Sequence, residues 1–122
     1  MYDHVGLSVK DVDASVRFYE AALAPLGHVL CCRDDSSAGF GPAGAPALWL
    51  YRAQGVTGAR AHVAFPAPDR AAVEGFYKSG LAAGGRDHGA PGVRSDYSPT
   101  YYAAFLLDPD GHNVEAVCMR QA

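Results

Sequence analysis

YYAAFLLDPDGHNVEAVCM, residues Tyr101 to Met119, alternates apolar and small side chains, turns once, and alternates again. That period belongs to a β-hairpin with one buried face. The turn is Asp108-Pro109-Asp110-Gly111, a set suited to a type I turn closed by a residue that tolerates positive φ. With the register pinned by the turn, Val114, Ala116 and Cys118 fall on one face and Asn113, Glu115, Val117 and Met119 on the other. Glu115 then stands mid-strand among apolar neighbours. It is either a solvated strand residue or a buried carboxylate with a partner, because burying it alone costs several kcal/mol.

Earlier in the chain the same alternation runs from Tyr2 to Val9, with Val5, Leu7 and Val9 on one face and His4, Gly6 and Ser8 on the other. Asp11 is placed to cap a helix reaching about Ala24, whose apolar stripe is Val12, Val16, Tyr19 and Leu23 and whose end is marked by Pro25 and Gly27. His28 to Arg33 reads as a strand and Asp34 to Ala38 as a turn. Ala38 to Gly41 and Ala47 to Arg52 read as two more strands joined by a Gly/Pro/Ala loop. The order is βαβββ.

Sliding the sequence by 58 positions aligns His4–Gly27 with His62–Gly85 without a gap, and nine of the 24 pairs are identical, against about two by chance. The pairs include His4/His62, Asp11/Asp69, Phe18/Phe76, Tyr19/Tyr77 and Leu23/Leu81. The second helix therefore follows Asp69, turns Val73, Phe76, Tyr77 and Leu81 inward, and ends at Gly84-Gly85. Arg86 to Tyr97 is loop-rich with room for one strand. Pairing Phe105 with Phe40 across a seven-residue insertion sets Glu115 opposite Leu50.

The expected fold is α+β: two tandem βαβββ modules, residues 1–53 and 60–119 of one domain spanning 1–122, forming a curved mixed sheet around a concave cleft, with only the Gln54 to Arg60 connection between them. Helices cover the faces bearing Val5, Leu7, Val9, Val63 and Phe65. Strand parity then sends His4, His62 and Glu115 to the open faces. Two imidazoles and a carboxylate are a ligand set for a divalent transition metal that leaves positions open for substrate or water. Fe2+, Zn2+, Ni2+, Co2+ and Mn2+ all suit it. Leu50, at the fourth symmetric position, cannot bind metal. His28, His88 and His112 have no repeat partner, and His112 is expected to bond locally behind the turn.

Composition narrows the function classes. The 122 residues are 49% hydrophobic with net charge −3, and no basic stripe suits nucleic acid. No apolar run approaches the roughly 20 residues of a membrane helix, and no charged-then-apolar leader opens the chain, so the cytoplasm is the expected location. Cys31, Cys32 and Cys118 match neither a disulfide framework nor a CxxC site and are expected to be reduced and mostly packed.

The paired modules, HVGL at 4–7, HVAF at 62–65 and LDPDGHNVEAV at 107–117 resemble the vicinal oxygen chelate superfamily, the glyoxalase, bleomycin-resistance and extradiol dioxygenase group. The resemblance covers nearly the whole chain and implies His4, His62 and Glu115 as metal ligands. Glyoxalase I-like members carry a fourth ligand, a glutamate, where Leu50 is aligned; the three-ligand set is similar to that of the extradiol dioxygenases. Those enzymes add a histidine and a tyrosine near the metal, whereas Ser95-Asp96-Tyr97-Ser98 offers no histidine. A homodimer is also implied, with the cleft formed in one chain or between exchanged halves.

Two functions follow. In the first, the chain is a metal-dependent lyase, isomerase or dioxygenase that chelates a small substrate through two adjacent oxygens. Glu115 doubles as ligand and proton shuttle, and Tyr97, Tyr101 or Tyr102 donates to a developing oxyanion. Leu50, Asp96 and Tyr101 border the substrate, and the loop from Asp87 to Thr100 sets its identity. In the second, the chain is a metal-free binding protein of the bleomycin-resistance kind, sequestering a planar ligand among Phe40, Trp49, Tyr51, Tyr101 and Tyr102.

Overall fold

An aspartate caps each helix at the same repeat position. In a computed structural model that describes residues 1–53 and 60–120, the Asp11 carboxylate accepts from Ala14 N–H at 3.2 Å and the Asp69 carboxylate from Ala72 N–H at 2.8 Å. Each side chain satisfies an amide that has no partner inside the first turn. The helices are α1 (Val12–Leu23) and α2 (Arg70–Ala82). A 3₁₀ turn, Ala24–Leu26, extends α1 to Gly27, where φ is 92°.

The strands are β1 (Val5–Val9), β2 (Val29–Arg33), β3 (Ser37–Gly41), β4 (Leu48–Arg52), β5 (His62–Pro66), β6 (Arg86–Val93), β7 (Tyr102–Leu107) and β8 (Asn113–Cys118). They form two four-stranded sheets, ordered β1-β4-β3-β2 and β5-β8-β7-β6, each with one parallel and two antiparallel pairings. This is the expected pair of βαβββ modules. The loop-rich stretch contributes the eight-residue β6, whose pairing with β7 slips at Gly89. The Gln54–Arg60 connection falls mostly outside the described residues. No described helix is long and apolar enough to cross a membrane.

Strand parity holds on both sheets. Leu7, Val9, Leu48, Leu50, Val114, Ala116 and Cys118 are buried on the helix side, in one apolar cluster with Phe18, Tyr19, Phe40, Val73 and Phe76. Two details depart from expectation. Leu81 is 37% exposed and Gly80 is buried in its stead. A Cβ on Gly80 would sit 2.4 Å from Leu106 of β7 and 3.3 Å from both Ala22 and Phe18 of α1, so β7 and α1 together leave no room for a side chain. The symmetry between the modules is also offset by one residue from the sequence alignment. Gly6 and Ala64, equivalent in the repeat, lie opposite Trp49 and Glu115 respectively. The residue equivalent to Glu115 is therefore Trp49, and the one equivalent to Phe105 is Gly39. Leu50 faces the core with no exposed surface, so it borders no cleft.

The DPDG turn joins the modules. Gly111 has φ 88° and its N–H donates to Asp108 C=O at 2.9 Å, closing the turn as the sequence requires. The buried Asp108 carboxylate accepts from the Tyr19 hydroxyl at 2.6 Å and from the amides of Asp110 and His112. Asp110 accepts from Lys10 N–H at 2.8 Å. His112 does not bond only locally: Ala61 N–H donates to its Nδ1 at 2.9 Å, so Nε2 carries the proton and donates to Ser8 C=O at 2.9 Å. A buried imidazole thus bridges the end of β1 to the entry of β5.

Candidate functional site

Alternation along β5, β7 and β8 brings four side chains to the open face of the second sheet. His62 comes from β5, Glu115 from β8 directly opposite Ala64 and Phe105, Phe105 itself from β7, and Tyr101 from the residue before β7. Glu115 is only 2% exposed. The His62 Nε2–H donates to Glu115 Oε1 at 2.6 Å, and the Tyr101 hydroxyl donates to Oε2 at 2.8 Å. Both carboxylate oxygens are therefore engaged, which offsets the desolvation that an isolated buried carboxylate would suffer. Burial, followed by the bond to Glu115 and that carboxylate's charge, pushes the Tyr101 phenol up to about 12. It remains a proton donor throughout the ordinary pH range.

Around this triad the face is aromatic. The His62 ring lies 6.4 Å from that of Phe105, and Tyr97 packs edge-on against Tyr101 at 5.0 Å while staying 64% exposed. Asp96 is exposed in the turn before β7. Tyr102 points the opposite way, as the neighbour of Tyr101 on one strand must: its hydroxyl donates to Glu74 on α2 at 2.8 Å, and the Arg70 guanidinium covers its ring at 4.6 Å. Its hydroxyl bonds none of the triad.

His4 lies just ahead of β1, exposed, with Nδ1 bonded to its neighbour Asp3 at 2.7 Å. It borders a cleft of about 310 Å³ that is also lined by Phe40, Leu48, Val63 and Phe65, and neither His62 nor Glu115 lines that cleft. The open face of the first sheet instead carries a stacked aromatic pair, Trp49 and Tyr51, with ring centroids 6.4 Å apart. Trp49 lies so close over Gly39 that a Cβ there would come within 2.8 Å of the indole, and Tyr51 covers Gly6 in the same way.

The donor chemistry fits a divalent metal in part. An imidazole nitrogen and a carboxylate oxygen on one open face form two thirds of a borderline ligand set. Among the described residues, however, no three His, Cys, Asp or Glu side chains come together. His4 borders the separate cleft lined by Phe40, Leu48, Val63 and Phe65, so within one chain it does not complete the set.

Sequence reasoning gave neither Phe105 nor Arg94, whose guanidinium carbon stands 5.3 Å from the Phe105 ring centre, a place on this face. The signal was present in HGAPGVR, residues 88–94, where two glycines beside an arginine leave space for a guanidinium to lie along the strand.

A family model described as the Glyoxalase/Bleomycin resistance protein/Dioxygenase superfamily matches residues 2–116. The crystal structure of a glyoxalase/bleomycin resistance protein from Albidiferax ferrireducens T118 is similar over 99% of both chains, with TM-score 0.84 and 27% identity. A glyoxalase I mutant from Zea mays is 29% identical with TM-score 0.73; the match covers 95% of this chain but only 46% of the maize chain. A glyoxalase-related enzyme from Fulvimarina pelagi, 22% identical with TM-score 0.72, shares the fold over 93% of this chain and 84% of its own. Among curated protein sequences, none matches significantly.

Proposed function

Because the chain belongs to the Glyoxalase/Bleomycin resistance protein/Dioxygenase superfamily, we propose that it is an enzyme acting on a small substrate with two adjacent oxygens, on a divalent metal held by His62 and Glu115 together with His4 of a second copy. The observation that carries this reading is the His62–Glu115–Tyr101 arrangement, a buried carboxylate held from both oxygens on an otherwise open, aromatic face. A metal bound there would supply Lewis acidity toward the paired substrate oxygens.

The remaining chemistry belongs to the chain. Glu115 is the base: its oxygens are oriented by two donors, and release of either bond frees a lone pair for a substrate proton. His62, half exposed and with Nε2 2.6 Å from Oε1, would hold the metal beside Glu115. Tyr101, protonated below about pH 12, steadies the carboxylate and can shift its hydroxyl to a developing oxyanion. Phe105 excludes water from one side of the triad. Tyr97 and Asp96 lie on the exposed loop that borders the face and meet the distal part of a ligand.

The homodimer is part of the proposal, and the separation of His4 from His62 and Glu115 supports it. A second copy whose first sheet faces this second sheet supplies the missing imidazole and lays Trp49 and Tyr51 over the substrate, so that the cleft is shared between chains. Metal analysis of protein purified without chelator tests the reading: about one divalent ion per chain, lost in Glu115→Ala and His62→Ala, is expected. Oxygen uptake with a catechol panel, run beside an isomerase assay on thiol-hemiacetals, then separates dioxygenase from glyoxalase chemistry.

A second reading, a metal-free binding protein for a planar ligand, draws on the Trp49–Tyr51 stack over its glycine floor and on the fact that His62 and Glu115 already satisfy one another. Absence of bound metal, with ligand affinity unchanged in His4→Ala and Glu115→Ala, would select it.

A further inference from the structure

On the same face, beyond Phe105, lies the side chain of Arg94. Its Nη1 donates to Gly92 C=O at 2.8 Å and its Nη2 to Ala90 C=O at 2.7 Å, and the guanidinium carbon stands 5.3 Å from the centre of the Phe105 ring. The group lies flat against β6 because two glycines clear the way. A Cβ on Gly89 would come within 3.1 Å of Nη2, and one on Gly92 within 3.3 Å of Nη1. Among the described residues no carboxylate pairs with Arg94; the ion pairs there are those of His4, Arg33 and His62. The strand thus holds a half-buried positive charge rigid, neutralises it with carbonyl dipoles only, and leaves three of its five N–H groups without a protein acceptor.

Bracing an irregular strand does not require a permanent charge. A pinned guanidinium with spare donors, beside an aromatic face and a carboxylate base, is a receptor for a planar oxyanion. The Phe105 ring is shared by the two groups: its centroid is 6.4 Å from that of His62 and 5.3 Å from the Arg94 guanidinium carbon, and Phe105 lies opposite Glu115 in the ladder.

We infer that the ligand of this face carries a carboxylate, held by Arg94, in addition to the group that meets Glu115. The inference rests on the reading of the His62–Glu115–Tyr101 face as the substrate face, and it selects small carboxylic acids with a flat body over neutral analogues. Preorganisation lowers the entropic cost of binding, since the guanidinium is already ordered.

The test compares benzoate, phenylacetate and pyruvate, each beside its primary amide, by NMR titration of the full chain with chelator present. At least one acid is expected to bind about tenfold more tightly than its amide, the scale of one charge-assisted bidentate contact. Arg94→Gln should abolish that preference, Arg94→Lys should restore part of it, and raising the ionic strength should weaken acid binding but not amide binding. If Arg94→Gln fails to fold, the Lys variant and the salt dependence still decide. Equal binding of every acid and its amide, or an acid preference that survives Arg94→Gln, overturns the inference. Because chelator is present, an Arg94-dependent preference stands even if metal analysis shows no metal, in which case only the metal-enzyme reading falls. Metal binding without any acid preference is the reverse outcome, in which the anion site alone is lost.

Discussion

Glu115 is costly to bury and useful once buried. Its two donors differ in kind: a half-exposed imidazole on Oε1 and a phenol on Oε2. The raised Tyr101 pKa has a direct consequence for stability. The folded state favours the protonated phenol more than the unfolded chain does, so the contribution is complete below the unfolded value near 10 and is lost as pH rises through about 12. In Glu115→Gln the hydrogen bond to an anion and the repulsion from its charge both vanish, leaving burial and the smaller effect of Tyr97. The Tyr101 titration, followed by NMR of its ring, is therefore expected to move down toward 10; an unchanged midpoint would mean that burial sets the whole shift.

At the scale of a strand, one residue of register decides which side chains see ligand. Parity places Leu50 under the helices and Trp49 on the open face. Leu50→Glu should cost on the order of 3 kcal/mol or more in urea unfolding, because a carboxylate is then buried without a partner. Trp49→Glu, at the position equivalent to Glu115, should cost far less and leave a cooperative transition. The same parity separates Tyr101 from Tyr102, which an argument from proximity in sequence cannot do. The helix caps, both hairpin strands of the second module and the open-face position of His62 and Glu115 were all legible, since each depends on a period of 2 or 3.6 residues. Register across the two modules was not, because similar aromatic residues at 40 and 105 align well in sequence while facing opposite sides of their sheets.

Across the whole molecule, the modules are held together by helix packing and by the DPDGH turn. His112 bonds both Ser8 and Ala61 from a buried position, so His112→Ala is expected to destabilise the fold by about 2 kcal/mol, two hydrogen bonds lost and two backbone groups left unpaired. Thermal melts check it, and a nitrogen-resolved NMR spectrum should show the proton on Nε2. The proposed shared site gives a complementation test. His4→Ala and Glu115→Ala chains, each deficient in metal alone, should recover about a quarter of the metal content when mixed at random, because about half of the dimers are then mixed and one of the two sites in each is intact. No recovery in a confirmed mixed dimer would place all ligands within one chain.

The motif LDPDGHNVEAV illustrates the division between sequence and tertiary structure. Local chemistry alone determined the turn at Asp108–Gly111, the alternation that turns Glu115 to the open face, the two aspartate caps and the duplication of the βαβββ unit, because each follows from neighbours a few residues apart. Only the packed structure decided that His112 bridges two modules, that Trp49 stands where Leu50 was aligned, that Arg94 joins Phe105 beside the triad, and that His4 stays apart from His62 and Glu115. Those outcomes depend on how surfaces remote in sequence fit one another, a balance of close approach and hydrogen bonding that no local period encodes.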